Sequence, residues 1–90
     1  MSGGMKKIGY HVTTDKKIQR YQSTGGILPP VRFFPNLYTA KRWAKRTGRT
    51  VILKIEFEGE DYPLPDHRPA RFTDCFIKKY FKQNIAEFTE

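Results

Sequence analysis

Ile8-Gly9-Tyr10-His11-Val12-Thr13 and Phe33-Phe34-Pro35-Asn36 are the two stretches whose reading decides the fold. In the first, Ile8, Tyr10 and Val12 alternate with Gly9 and His11. That is the period-two pattern of a half-buried strand, so a strand is predicted over residues 6–12. Its imidazole falls at the strand end, on the face opposite the apolar residues. The second stretch closes a short predicted strand, Val31-Arg32-Phe33-Phe34, and opens a helix. Asn36 suits the N-cap, because its side-chain oxygen can accept from an unpaired N–H of the first turn. A polar base and an aromatic platform, each at a strand end, are one way to hold a nucleotide, and neither stretch alone identifies a site.

Outward from these stretches the elements follow in order. Thr14 caps a first helix that runs to about Ser23, with Asp15 in its first turn and Gly25-Gly26 at its end. Its apolar face is thin, carrying Ile18 and Tyr21. Pro29-Pro30 forces an extended segment. The second helix spans 37–47, and Gly48 follows its end. At about 100° per residue, Leu37, Ala40, Trp43, Ala44 and Thr47 form one stripe. Lys41, Arg42, Lys45 and Arg46 fall opposite. The stripe predicts a Trp43 mostly buried against Leu53 or Ile55. Residues 50–57 read as a strand with Val51, Leu53, Ile55 and Phe57 on one face and Lys54, Glu56 and Glu58 across it. A turn at Gly59 and the prolines at 63, 65 and 69 predict an irregular stretch through residue 71. Phe72 to Phe81 reads as a last strand with broken alternation, and Asn84-Ile85-Ala86-Glu87-Phe88 as a final turn. This order predicts an α+β fold, a small and mostly antiparallel sheet with two helices.

Composition bounds the rest. A chain of 90 residues supports one core, so residues 6–90 are expected to form a single compact domain behind a flexible leader, residues 1–5. Aromatic residues make up 14% of the chain, which does not suit a disordered segment. Cys75 is the single cysteine, so no internal disulfide forms and a reducing compartment, the cytoplasm, is expected. Two histidines and one cysteine cannot close a four-ligand zinc site, and no metal is expected. No apolar run is long enough for a membrane span. The net charge is +8, which favours a polyanionic partner.

His11 is the best candidate for chemistry. His67, flanked by Asp66 and Arg68 among prolines, reads as a loop residue. Cys75 reads as a small core residue. No G-x-G-x-x-G, Walker loop, G-x-S-x-G or H-E-x-x-H occurs.

Tyr10-His11-Val12-Thr13, the helix after Thr14, the turn Gly26-Ile27-Leu28, Phe33-Phe34-Pro35-Asn36 and the helix core Ala40-Lys41-Arg42-Trp43-Ala44 come in the order seen in the smallest ADP-ribosyltransferase domains. The chain resembles that family well over residues 8–57 and loosely over 72–85. The resemblance implies an ADP-ribosyltransferase-like fold binding NAD or a related nucleotide, with the transfer step either kept or lost. It implies that His11 holds a ribose hydroxyl and that Val12 and Thr13 border the cofactor. Phe33, with Phe34 adjacent, would stack on the nicotinamide. Asp74, one carbon shorter than the usual glutamate, would stabilise the oxocarbenium-like ribose. On this reading His11 and Asp74 are the catalytic pair. The residues leave a second function open: a non-enzymatic RNA- or DNA-binding module using Lys41, Arg42, Lys45 and Arg46.

Overall fold

The computed structural model describes residues 5–83, so most of the expected leader and the expected turn at 84–88 lie outside the described residues. Six strands and two helices follow one another as β1 (Lys6–Thr13), α1 (Asp15–Thr24), β2 (Val31–Phe33), α2 (Leu37–Thr47), β3 (Val51–Glu58), β4 (Tyr62–Pro63), β5 (Arg71–Thr73) and β6 (Lys79–Lys82). They form two three-stranded antiparallel sheets, ordered β1-β3-β6 and β2-β5-β4. The α+β architecture with two helices is therefore as the sequence predicts, with the strands divided between two small sheets.

Local chemistry sets the helix bounds. The Thr14 side chain accepts from the Lys17 N–H, and the Asn36 side chain accepts from the Thr39 N–H at 2.9 Å. Both helices close on a glycine in the left-handed region, Gly25 at φ 80° and Gly48 at φ 73°, where a Cβ would be strained.

The central strand, β3, is apolar on both faces, and that builds the layers. Val51, Leu53, Ile55 and Phe57 point to the main core with Tyr21, Ile27, Val31, Phe33 and Ile77. Ile52 points the other way, to a smaller core with Val12, Ala40 and Ala44 beneath α2. Successive side chains on a strand alternate faces, so a helix over Ile52 cannot also touch Leu53 or Ile55. Trp43 accordingly packs in the Ile52 cluster and is half-buried, which corrects the expected burial against Leu53 or Ile55.

Two further expectations change. The last strand is not continuous from Phe72 to Phe81. It divides into β5 and β6, which belong to different sheets. Between them the Cys75 N–H turns back to the Thr73 hydroxyl at 3.1 Å, and Ile77 exchanges both backbone hydrogen bonds with Ile27. The proline-rich stretch also holds a two-residue strand, β4, at a sheet edge, where proline's missing N–H does no harm. The sheets are joined where Tyr10 and Phe34 exchange backbone hydrogen bonds at 2.8 and 2.9 Å. Gly9 permits this close approach, since a Cβ there would overlap the Phe33 ring.

Candidate functional site

The Tyr10–Phe34 junction brings the end of β1 against β2 and α1, and a cleft of about 440 Å³ opens there. That volume lies within the range of small-molecule sites. His11 and Val12 form its β1 wall. Lys17, Arg20, Tyr21 and Thr24 come from α1, at the i, i+3, i+4, i+7 spacing of one helical stripe. Arg32 and Phe34 come from β2 and its end, Trp43 from α2, and Arg49 from just beyond it. Leu64, His67 and Ala70 close the wall from the loop between β4 and β5.

His11 sits in a fully assigned hydrogen-bond chain. Its Nδ1 lies 2.6 Å from the Arg32 carbonyl, which can only accept, so Nδ1 carries the proton. Nε2 of the neutral ring then accepts from the Tyr21 hydroxyl at 2.9 Å. The Tyr21 oxygen in turn accepts from the Thr13 hydroxyl at 3.0 Å. Burial holds the imidazole pKa below its ordinary 6.5. The Arg32 carbonyl opposes that shift, and the charges of Lys17 and Arg49 add to it. His11 is thus neutral at pH 7. Both its nitrogens are engaged, so it reaches a ligand hydroxyl only if Tyr21 yields.

One wall is aromatic. The Phe34 and Trp43 ring centroids lie 6.1 Å apart, and the His67 ring meets Trp43 edge-on at 5.4 Å. The other charged groups are all cationic. Lys17, Arg20, Arg32 and Arg49 line the cleft, and among the described residues no carboxylate lines it and none pairs with these four. The acids sit elsewhere: Asp61 binds both Lys7 and Arg71, Glu56 meets Lys6 at 3.5 Å, and Asp15 meets Lys82 at 3.4 Å. Desolvation raises the Asp61 pKa, but hydrogen bonds from Lys7 and Arg71 outweigh it and leave the carboxyl below 3.8.

The residues proposed from the sequence divide accordingly. His11, Val12 and Phe34 line the cleft. Thr13 lies behind it, buried and bonded to Tyr21. Phe33 is a core residue, packed edge-on against Phe57 and 4% exposed, so the aromatic wall falls to Phe34 and Trp43 instead. Asp74 is exposed and does not line the cleft. Its neighbours tie it to the far end of β3, with the Thr73 hydroxyl on the Glu60 carbonyl and the Cys75 thiol near that of Glu58. On its other side Thr73 pairs with Val31 of β2, one residue before the Arg32 that bonds His11, yet the Asp74 side chain forms no part of the cleft lining. His11 and Asp74 do not converge. Lys41, Arg42, Lys45 and Arg46 lie on α2 outside the cleft.

Sequence reasoning missed Tyr21, His67 and the four cleft cations. The stripe Lys17, Arg20, Tyr21, Thr24 was a usable signal. Arg32, Arg49 and His67 carry none, because each stands alone in its segment and meets the others only through the fold. Among the described residues no helix is long and apolar enough to cross a membrane. Comparison with models of known families, with curated proteins and with solved structures finds no match to this chain.

Proposed function

We propose that this chain is an ADP-ribosyltransferase-like domain that binds NAD or a related nucleotide in the cleft and works as a binder, not as a transferase. The observation that carries the reading is one cleft pairing an aromatic wall, Phe34 and Trp43, with four cations unpaired among the described residues. A flat nicotinamide or base stacks on the rings. The pyrophosphate takes charge-assisted hydrogen bonds from Arg32, Arg49, Lys17 and Arg20, and arginine forks match phosphate oxygens in pairs. The Val12 backbone and the lone pairs of the Thr24 hydroxyl, whose proton is held by backbone carbonyls, supply neutral polar contacts for ribose.

Transfer would need a carboxylate facing the ribose as positive charge develops there. Asp74, exposed and outside the cleft lining, supports no such role. Trp43 is the single tryptophan and lines the cleft, so its fluorescence reports occupancy directly. Titration with NAD and with ADP is expected to change that emission saturably, and Asp74→Ala is expected to bind NAD with unchanged affinity. A flat response to millimolar NAD and ADP would overturn the reading. A tenfold loss of affinity in Asp74→Ala would overturn the assignment of the acid to a place outside the site.

A further inference from the structure

The charge on this molecule does not stop at the cleft. Trp43 forms part of the aromatic wall, and on a helix its surface neighbours are the residues three and four positions away. Arg46 is three residues on. Arg42 is four back from Arg46, and Tyr38 four back from Arg42. Trp43, Arg46, Arg42 and Tyr38 therefore form a continuous path around α2, beginning at the cleft wall. At about 100° per residue Arg46 and Arg42 lie about 60° and 100° from Trp43, on the side away from the buried Ala40 and Ala44. Tyr38 lies about 140° from Trp43 on that same side, Lys45 about 160° on it too, and Lys41 about 160° on the other. The four basic residues of α2 are thus not equivalent: Arg46 and Arg42 lie nearer Trp43 around the helix than Lys45 and Lys41 do.

The path has the chemistry of a single strand's track. Arg42 and Arg46 are exposed, and neither meets a carboxylate among the described residues. Arg49, which lines the cleft, leaves α2 just past its Gly48 cap. Tyr38 is 65% exposed, with the Arg42 guanidinium 5.8 Å from its ring centroid. An exposed aromatic ring backed by an arginine is a stacking platform for a base, and stacking tolerates any base because each has a π-face. A free dinucleotide would leave Tyr38, Arg42 and Arg46 without a role.

We propose that the nucleotide held in the cleft belongs to a single-stranded nucleic acid, whose adjoining phosphates follow the Trp43 edge of α2 over Arg46 and Arg42, with a neighbouring base on Tyr38. This rests on the nucleotide-binding reading of the cleft and gives its ligand class. It also excludes duplexes, whose bases are stacked away from a pocket for one ring.

The test compares a mononucleotide with oligonucleotides of two, three and four residues, in ribo and deoxyribo series, by Trp43 fluorescence over a range of salt. Affinity is expected to rise with length, on the order of tenfold for the added base that stacks on Tyr38. The salt slope is expected to steepen by about 1.4, two phosphates at about 0.7 each. The double variant Arg42→Ala, Arg46→Ala should lose that extra slope and leave mononucleotide affinity unchanged. Both series gaining equally assigns the contacts to phosphate and base; a gain in one alone assigns a role to the 2′ position, and either supports the proposal. If a mononucleotide binds and longer strands bind no tighter, the proposal fails while the cleft reading stands. If nothing binds, both fail. If oligomers bind but mononucleotides do not, and Phe34→Ala leaves oligomer binding intact, the strand does not enter the cleft and the proposal fails.

Discussion

At the scale of single residues, His11 shows how a fold can reassign a side chain that the sequence singles out. Period two alone places it with Gly9 and Thr13, opposite Ile8, Tyr10 and Val12, but the register sets that face over Leu53 and the main core and leaves Ile8 43% exposed. Its partners are not legible in the sequence, since Tyr21 and Arg32 lie on different elements, 10 and 21 residues away. The consequence is measurable. Burial lowers the His11 pKa below 6.5, so between that value and the lower folded one the unfolded chain binds more protons. The stability from neutral His11 is complete above 6.5 and is lost as pH falls through the folded value. Asp61, held below 3.8, contributes in a separate window and loses its share only at more acidic pH. Urea midpoints of the native chain are expected to decline as pH drops below about 6.5, and His11→Gln should flatten that decline. A native midpoint that stays level between pH 6.5 and the Asp61 window would contradict the assignment.

At the scale of elements, legibility follows from how local the determining interactions are. The second helix is readable to its ends because Asn36, the Leu37–Ala40–Ala44 stripe and Gly48 act within eleven residues and their caps. Replacing Asn36 by Ala removes the acceptor for the Thr39 N–H and should cost about 1 kcal/mol, checked by chemical denaturation. An unchanged midpoint would mean that the cap contributes nothing. The division of the last strand was not readable, because its cause is distant: Ile77 pairs with Ile27, fifty residues earlier, and draws the chain out of one sheet before β6 joins the other. Trp43 was misplaced for a related reason. Its own helix stripe is correct, but which face of β3 receives that helix depends on Ile52, an apolar residue on the face otherwise marked by Lys54, Glu56 and Glu58.

At the scale of the whole molecule, charge is sorted along the sheet. Asp61 and Glu56 lie toward the Lys6–Glu58 end, where they pair with Lys7, Arg71 and Lys6, and Asp15, near the other end, pairs with Lys82. Lys17, Arg20, Arg32 and Arg49 gather at the Thr13–Val51 end without carboxylate partners among the described residues. The net charge of +8 is readable from composition, but this separation arises only when the antiparallel register of β1 and β3 fixes which end each residue occupies. It makes one end of the molecule a site for an anion with a flat ring, and Asp74 forms no part of that site's lining. The most direct test is an amide NMR titration of the labelled protein with NAD. Shifts are expected to concentrate at Val12, Thr13, Phe34 and Arg49, with the amides of Asp74 and Cys75 unmoved. Shifts centred on Asp74, or no shift anywhere at millimolar NAD, would contradict a nucleotide site in the cleft.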